Sequence, residues 1–296
     1  MSSPAEGGTA IELSIAPRER PVGTGTVRRL LPHRARRMVG PFMFLDIMGP
    51  EDLAAGEGVN IDAHPHIGLS TLTYLLRGRA VHRDSVGSVQ TIEPGAVNWM
   101  TAGDGVTHTE RSHPDDHDRA TELFGVQIWV ALPDGTEDGS PSFEHCATHD
   151  VPESTVGGAH VRVPAGSAWG LDAPITGSSP LALAEIRLDE RAGIQLPADQ
   201  PERAVLALGG DVRIDGTRLG QGSLAVVTRG SQPILSGTGT ALLLGGEPVG
   251  ARHIWWNFVH SDLDRIEDAK QRWLAQEFPT VPGDHGTYVP LPGRGG

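Results

Sequence analysis

The chain has very little cysteine. Cys146 is the single cysteine among 296 residues, so the chain has no internal disulfide and no group of thiolates that could hold a metal or a sulfur cluster. This usage is typical of a reducing compartment. We therefore predict a cytoplasmic protein.

Long apolar runs are also missing. No run approaches the roughly twenty apolar residues of a membrane span. A secretory signal has a basic region followed by an apolar core. The N-terminal stretch Met1–Gly8 does not show this pattern. We expect neither export nor membrane insertion.

Positive charge is scarce. Lys and Arg together number 24 against 37 for Asp and Glu, which gives a formal net charge of -13. The negative potential of such a chain disfavours direct binding to nucleic acid, because proteins bind a phosphate backbone through clustered cations. The densest basic run lies beside a hydrophobic stretch and is interpreted as a solvated face rather than a phosphate site; its members are Arg28, Arg29, Arg34, Arg36 and Arg37.

Turn-forming residues are abundant, with 39 Gly and 23 Pro, and they favour many short strands over long helices. Alternating or β-branched segments between these turns predict strands. The segment 133–141 is rich in Pro, Gly and acidic residues and is predicted to be a linker. The expected domains are therefore 1–135 and 136–296. The strands predicted in the first are 11–15, 39–50, 70–76, 81–85, 96–100 and 123–132. Those predicted in the second are 159–163, 181–188, 203–208, 212–214, 223–227 and 241–244.

The C-terminal part contains one helical pattern. Ser261 can cap a helix, and Leu263, Ile266 and Trp273 recur at helical spacing before Pro279. We predict one amphipathic helix over 262–277. Its apolar stripe is interpreted as core packing.

Two triplets carry the chemistry of the chain, His64-Pro-His66 and His108-Thr-Glu110. Alternate side chains of a strand point to the same face, so each triplet directs two ligand-type residues one way. Two such strands side by side would form a metal cup. Three imidazoles and a carboxylate suit one divalent ion such as Fe, Cu, Ni or Zn, with Mn and Co as alternatives, and leave one or two positions free.

The remaining histidines are interpreted as structural, since an isolated histidine seldom serves as a ligand. They are His33, His82, His113, His117, His145, His149, His160, His253, His260 and His285. The second half contains no matching ligand pairs, so any pocket there is expected to be free of metal.

The segments around the two triplets resemble the pirin family of the cupin superfamily. The likeness spans most of the chain and is carried by His64-Pro-His-Ile-Gly-Leu-Ser-Thr-Leu-Thr-Tyr-Leu-Leu76, Pro94-Gly-Ala-Val-Asn-Trp-Met-Thr-Ala-Gly103, Gly105-Val-Thr-His-Thr-Glu110, Val39-Gly-Pro-Phe-Met-Phe-Leu-Asp46 and Trp255-Trp-Asn-Phe-Val259. This resemblance implies an all-β bicupin with two tandem cupin-type barrels and a short C-terminal helix. It also implies one mononuclear metal, usually iron, held by His64, His66, His108 and Glu110 in the first barrel, with the second barrel empty.

The chain departs from many pirins close to these residues. Ile67, Leu69 and Ser70 stand in a segment where many pirins have an Arg-Gly-Phe-Glu run, and Ile47 stands where a pirin often has His. Groups next to the ligands orient them and tune the metal. We therefore expect these positions to bear on the substrate and the redox potential.

The resemblance implies a quercetin 2,3-dioxygenase-type reaction on a flavonol or another polyphenol, with dioxygen as co-substrate. Glu110 would then be a metal ligand and also the catalytic base that accepts the proton of the substrate hydroxyl. We predict Phe44, Trp99, Met100 and Ser70 as pocket residues, with ordinary barrel core as the alternative for the apolar ones.

Two other functions remain open. The first is a non-catalytic, iron-dependent redox-sensing regulator or adaptor, whose partner would be a protein rather than DNA because the chain is acidic. The second is another cupin reaction, such as sugar isomerisation, although the sequence shows no phosphate-binding group of Arg and Lys. A channel from the surface to the metal favours an enzyme, whereas a sealed cup favours sensing.

Overall fold

The computed structural model describes residues 10–22 and 25–293. The polar N-terminal stretch 1–8 lies outside the described residues. The first half contains the strands β1 (Ile11–Ile15), β2 (Arg18–Val22), β3 (Gly25–Leu31), β4 (Phe42–Leu53), β5 (Asn60–His66), β6 (Leu69–Arg77), β7 (Ala80–Asp84), β8 (Val89–Ile92), β9 (Val97–Thr101), β10 (Val106–Ser112), β11 (Thr121–Ala131) and β12 (Ser142–Cys146).

The second half is built in the same way. It contains β13 (Glu153–Val156), β14 (Ala159–Ala168), β15 (Leu171–Asp172), β16 (Leu181–Leu188), β17 (Gly193–Gln195), β18 (Glu202–Ile214), β19 (Thr217–Arg218), β20 (Leu224–Val227), β21 (Ile234–Gly246), β22 (His253–Trp255), β23 (Phe258–His260) and the helix α1 (Leu263–Leu274). Short 3-10 turns lie at Pro114–Asp116 and Thr148–Asp150.

Two sheets form the first barrel. Among the described residues, one has the strand order β12-β9-β6-β11-β4-β3-β2 and the other the order β5-β10-β7-β8. The second barrel is a larger sheet along the path β1-β20-β18-β21-β16-β14-β13. The predicted all-β fold of two tandem barrels with a short C-terminal helix is confirmed.

Both ends of the described chain cross between the barrels. Strand β1 pairs with β20 in the second barrel. Phe258, which lies in β23 near the C-terminal helix, forms a bridge to Ile67 in the first barrel. Strand β12, which follows the predicted linker, pairs with β9 of the first barrel. The division at residue 135 stays a prediction, and these three segments pair across it.

Side chains of β4 and β11 point alternately to the two faces of their sheet. One set enters the apolar core between the barrels, where it meets second-barrel residues such as Leu183 and Leu206. The alternate set faces the interior of the first barrel. The core set includes Leu45, Ile47, Val126, Ile128 and Val130.

The predicted helix 262–277 is confirmed in type but is shorter, at Leu263–Leu274. The cap is Asp262, whose side chain accepts a hydrogen bond from the backbone N–H of Asp264. Ser261 does not cap the helix, because its hydroxyl donates to Glu137 instead. No helix among the described residues is long and apolar enough to cross a membrane.

The strands predicted separately at 203–208 and 212–214 are parts of β18. This strand pairs with β21 along most of its length, and its register shifts between Ala207 and Gly209. The irregularity interrupts the apolar alternation, which is why the sequence pattern suggested two strands.

A buried polar contact joins the barrels. The Tyr74 hydroxyl donates a 2.6 Å hydrogen bond to Oε2 of Glu185, and both residues are buried. Arg187 donates from its Nε to the other oxygen of Glu185 at 2.7 Å. The Glu185 carboxylate is thus satisfied from both barrels, as a buried charge requires.

We expect Tyr74→Phe to lower the free energy of unfolding by about 1–3 kcal/mol, because it removes a hydrogen bond to a buried carboxylate. Urea denaturation measures this change. Tyr288→Phe is the matched control, since Tyr288 is 52% exposed, and it is expected to shift stability by less than about 0.5 kcal/mol. Equal effects of the two changes would contradict a role for the Tyr74 hydroxyl.

Candidate metal centre

The two ligand triplets lie on neighbouring antiparallel strands. His64 of β5 pairs with His108 of β10, and the register shifts between His108 and Glu110 so that Glu110 pairs with Ile61. Ligand atoms of His64, His66 and His108 all lie within 4.8 Å of one another. Oε2 of Glu110 lies 4.0 Å from Nε2 of His64. The structure thus brings the four predicted residues together.

Backbone carbonyls orient two of the imidazoles. Nδ1 of His64 lies 2.8 Å from the carbonyl oxygen of Asp62, and Nδ1 of His66 lies 3.2 Å from that of Asn257. A carbonyl only accepts, so each Nδ1 carries the proton and each Nε2 keeps its lone pair. These rings are in the tautomer that a metal requires.

The donor set fits a divalent metal. Nε2 of His108 and Oε2 of Glu110 are buried and have no hydrogen-bond partner among the described residues. Buried polar atoms without partners are rare and call for an explanation. A cation held between the imidazoles and the carboxylate would satisfy both atoms.

Burial controls the protonation of these groups. It lowers the pKa of His64 to about 4, and it lowers those of His66 and His108 well below the usual range. Neutral imidazole is the form that binds a metal. Burial also raises the pKa of the Glu110 carboxyl to about 8, and a bound cation would favour its charged form.

A cavity of about 970 Å³ ends at this group of residues. Its lining runs from the exposed residues Gly56 and Glu57 to the buried His66 and His108. This volume lies at the upper end of the range of small-molecule pockets, roughly 300–1,000 Å³. The candidate metal centre is therefore reached from the surface.

One wall of the cavity is aromatic and charged. Phe44 and Trp129 stack with ring centroids 4.0 Å apart, and the guanidinium of Arg29 lies 4.3 Å from the Phe44 centroid. Arg29 also donates two hydrogen bonds of 2.9 Å to Asp46. Gln127, whose Oε1 accepts from Thr73, lines the same cavity.

The four predicted pocket residues do not all reach this cavity. Phe44 lines it, but Ser70, Trp99 and Met100 do not. Trp99 points into the core between the barrels, and Met100 packs in a separate apolar cluster. The hydroxyl of Ser70 is paired with that of Thr101 at 2.9 Å. The prediction for these three residues is corrected, because their strand positions direct them into packed surroundings.

The departures from the usual pirin pattern also lie outside the cavity lining. Ile67 packs against Phe258 and the helix, and Leu69 packs with Trp129 and Val259. Ile47 lies in the core between the barrels. These side chains pack in apolar clusters and do not line the cavity, and their effect on the substrate and the redox potential stays a prediction.

Several cavity residues were not predicted from the sequence. Arg29 is 25% exposed at its side chain and paired with Asp46, so its interpretation as part of a solvated face is wrong. Asp46 follows the predicted Phe44 at a spacing of two, and this alternation could have identified it. Trp129 and Gln127 are found through the pairing of β11 with β4, which places them opposite Phe44 and Asp46.

The interior of the second barrel is filled with apolar side chains. Its cluster includes Val161, Ala184, Val205 and Leu243, all fully buried. Hydrocarbon side chains offer no ligand atoms to a metal. The lack of metal in this barrel stays a prediction.

Comparisons with known proteins give a consistent picture. A family model described as Pirin matches residues 24–130, and one described as Pirin C-terminal cupin domain matches residues 183–279. A pirin-like protein of Caulobacter vibrioides is 44% identical over 287 residues, covering 95% of this chain and 99% of the relative. Pirin of Mus musculus is 30% identical over 207 residues, covering 69% and 68%.

A solved structure extends this likeness over both barrels. The crystal structure of quercetin 2,3-dioxygenase from Acinetobacter baumannii superposes with a TM-score of 0.87 at 32% sequence identity and covers 95% of each chain. The two matched family models and this superposition assign both barrels to the cupin type.

We expect the purified chain to bind one divalent metal, and His108→Ala to bind at least tenfold more weakly because one of three imidazoles is lost. Isothermal titration with Co(II) measures stoichiometry and affinity. His149→Ala is the control, because the His149 side chain is 83% exposed. Unchanged affinity in His108→Ala would contradict metal binding at this centre.

Proposed function

Because the chain belongs to the pirin family of two-barrel cupin proteins, we propose that it is a metal-dependent dioxygenase of flavonol-type polyphenols. The observation that supports this most is the surface-accessible cavity that ends at the three histidines and Glu110. A structural or sensing metal needs no cavity of this size. A substrate does.

In this proposal, His64, His66, His108 and Glu110 hold one mononuclear divalent metal, with iron as the first choice. The unpartnered Nε2 of His108 and Oε2 of Glu110 support this set. When bound, the metal would supply a Lewis acid for an ionised substrate oxygen and for dioxygen. The family likeness favours iron, whereas the donor types suit Ni, Cu, Zn, Mn or Co equally well.

The chain's own residues have separate tasks. The Glu110 carboxylate accepts the proton of the substrate enol or phenol, which needs a base at the inner end of the cavity. The stacked pair Phe44 and Trp129 gives an apolar aromatic wall against which a substrate ring can pack. Arg29 and Gln127 offer N–H donors to oxygen substituents.

The depth of the site favours this chemistry. His66 and His108 lie at the buried inner end of the cavity, each 1% exposed, and a substrate that fills the cavity would displace the water there. An ionised flavonol interacts more strongly with cationic and dipolar groups when water is excluded. In the proposed reaction the substrate is the electron donor: carbon–carbon bonds of its heterocycle break, and both oxygen atoms of dioxygen form carbon–oxygen bonds in the products.

The rival function is a metal-dependent regulator that binds a protein partner. A sealed cup would have favoured it, and the cavity supports the enzyme instead. The acidic charge of the chain, -13, supports a protein rather than DNA as any such partner. A cytoplasmic location stays a prediction.

We expect the iron-loaded protein to consume dioxygen in the presence of quercetin, at least tenfold faster than the His108→Ala variant. An oxygen electrode measures the rate, and loss of the flavonol absorption band confirms turnover. The copper-loaded protein is assayed in parallel, because the natural metal is not fixed by the donors. Rates equal to that of the variant with both metals would contradict the proposed activity.

We expect Phe44→Leu to raise KM for quercetin about 2- to 12-fold with a smaller change in kcat, because an aromatic contact is worth about 0.5–1.5 kcal/mol. Steady-state kinetics measure both constants. Phe124→Leu is the control, because Phe124 and Phe44 are both 8% exposed and Phe124 does not line the cavity. A rise in KM of the same size in both variants would rule out a substrate contact at Phe44.

A further inference from the structure

A second histidine and carboxylate pair lies directly behind the candidate metal centre. Strand β7 pairs with β10 on the side away from β5, and it places Asp84 opposite His108 and His82 opposite Glu110. Nδ1 of His82 lies 3.4 Å from Nδ1 of His108, and Nε2 of His82 lies 3.0 Å from Oδ2 of Asp84. A continuous chain of contacts therefore runs from Asp84 to His108.

The Asp84 end of this chain is fixed. Its Oδ1 accepts hydrogen bonds of 2.9 Å from the backbone N–H groups of Val86 and Ser88, so only Oδ2 is left for His82. Asp84 is 0% exposed and His82 is 4% exposed. The His82 ring also stacks on Phe143 with centroids 4.7 Å apart, which restricts its plane.

The proton positions follow from this arrangement. An ionised carboxylate only accepts, so Nε2 of His82 must donate to Asp84. With its proton on Nε2, the His82 ring has an acceptor at Nδ1, and Nδ1 of His108 donates to it. The lone pair of His108 is left on Nε2, the buried atom without a partner.

We infer that Asp84 and His82 are positioning residues that set the tautomer of His108 and thereby present its Nε2 to the metal. This inference rests on the metal site of the proposed function, but not on its substrate or reaction. A group beyond the ligands that fixes a ligand tautomer commonly changes metal affinity 10- to 100-fold when it is removed.

The tautomer of His108 depends on residues beyond its direct contact more than the tautomers of His64 and His66 do. His64 and His66 each face a backbone carbonyl, which can only accept. Nδ1 of His108 faces another imidazole, which can donate or accept depending on its own tautomer. Oε1 of Glu110 lies 3.4 Å from the same Nδ1 and is a second acceptor within reach of its proton. Asp84 removes the remaining ambiguity.

Asp84→Asn tests the inference with almost no change in shape. The amide oxygen stays with the two backbone N–H groups, because the amide NH2 cannot accept from them. The NH2 group then faces His82 and donates to its Nε2, which moves the His82 proton to Nδ1 and opposes donation by His108. We expect Co(II) affinity, measured by chelator competition, to fall 10- to 100-fold.

Histidine ¹⁵N spectra of the metal-free protein read the tautomers directly. We expect wild-type His82 protonated on Nε2 and His108 on Nδ1, and we expect Asp84→Asn to move the His82 proton to Nδ1. Asp116→Asn is the matched control, because Asp116 is a buried carboxylate that binds Arg79 and Arg119. It is expected to leave Co(II) affinity within twofold of wild type.

A pair of variants at His82 guards against a simple folding defect. His82→Asn can keep an oxygen near the former Nδ1, whereas His82→Gln places its amide nearer Asp84 and leaves His108 without an acceptor. We expect His82→Asn to bind Co(II) more tightly than His82→Gln, with thermal unfolding recorded for both. Wild-type affinity and unchanged tautomers in Asp84→Asn would overturn the inference, whatever the result of the oxygen assay.

Discussion

The antiparallel pairing of β5 with β10 is the constraint on which the candidate site depends. It sets His64 opposite His108, and a slip of one strand by one residue would turn its ligand pair away from the pair on the other strand. The register shift after His108 moves Glu110 along the partner strand, as bulges near functional sites often do. The neighbouring strand β7 places His82 and Asp84 behind the imidazoles. Three adjacent strands therefore define the centre, and the other sheet of the barrel supplies much of the cavity wall.

The sequence was sufficient for the parts of this site that are local. Alternation within His64-Pro-His66 and His108-Thr-Glu110 predicted that the side chains share a face, and the structure brings the three histidines and Glu110 together. The cavity wall was harder to predict, because Asp46 and Gln127 meet only through the pairing of distant strands. The same limit applies to His82. Its spacing to Asp84 matches that of His108 to Glu110, but nothing local shows that β7 lies beside β10.

The wrong pocket predictions share one physical cause. An aromatic or hydroxyl residue near a ligand strand can face either side of its sheet, and the barrel packs against a second barrel on one side. Trp99 faces that second barrel, and Ser70 is satisfied by Thr101. The Ile67 side chain likewise faces away from the cavity. It packs against Phe258 and so holds the C-terminal segment on the first barrel. That segment supplies the Asn257 carbonyl for His66, so Ile67 supports the ligand through packing rather than by charge.

The crossing of the C-terminal segment onto the first barrel has a consequence for biosynthesis. His66 and its hydrogen-bond partner Asn257 are separated by 191 positions. A ribosome makes roughly 5–20 residues per second, so His66 is synthesised on the order of ten seconds or more before Asn257. During that interval the first barrel has its ligand residues but not the group that orients one of them. The centre therefore cannot reach its final geometry before Asn257 has been made, and by then most of the second barrel has been synthesised.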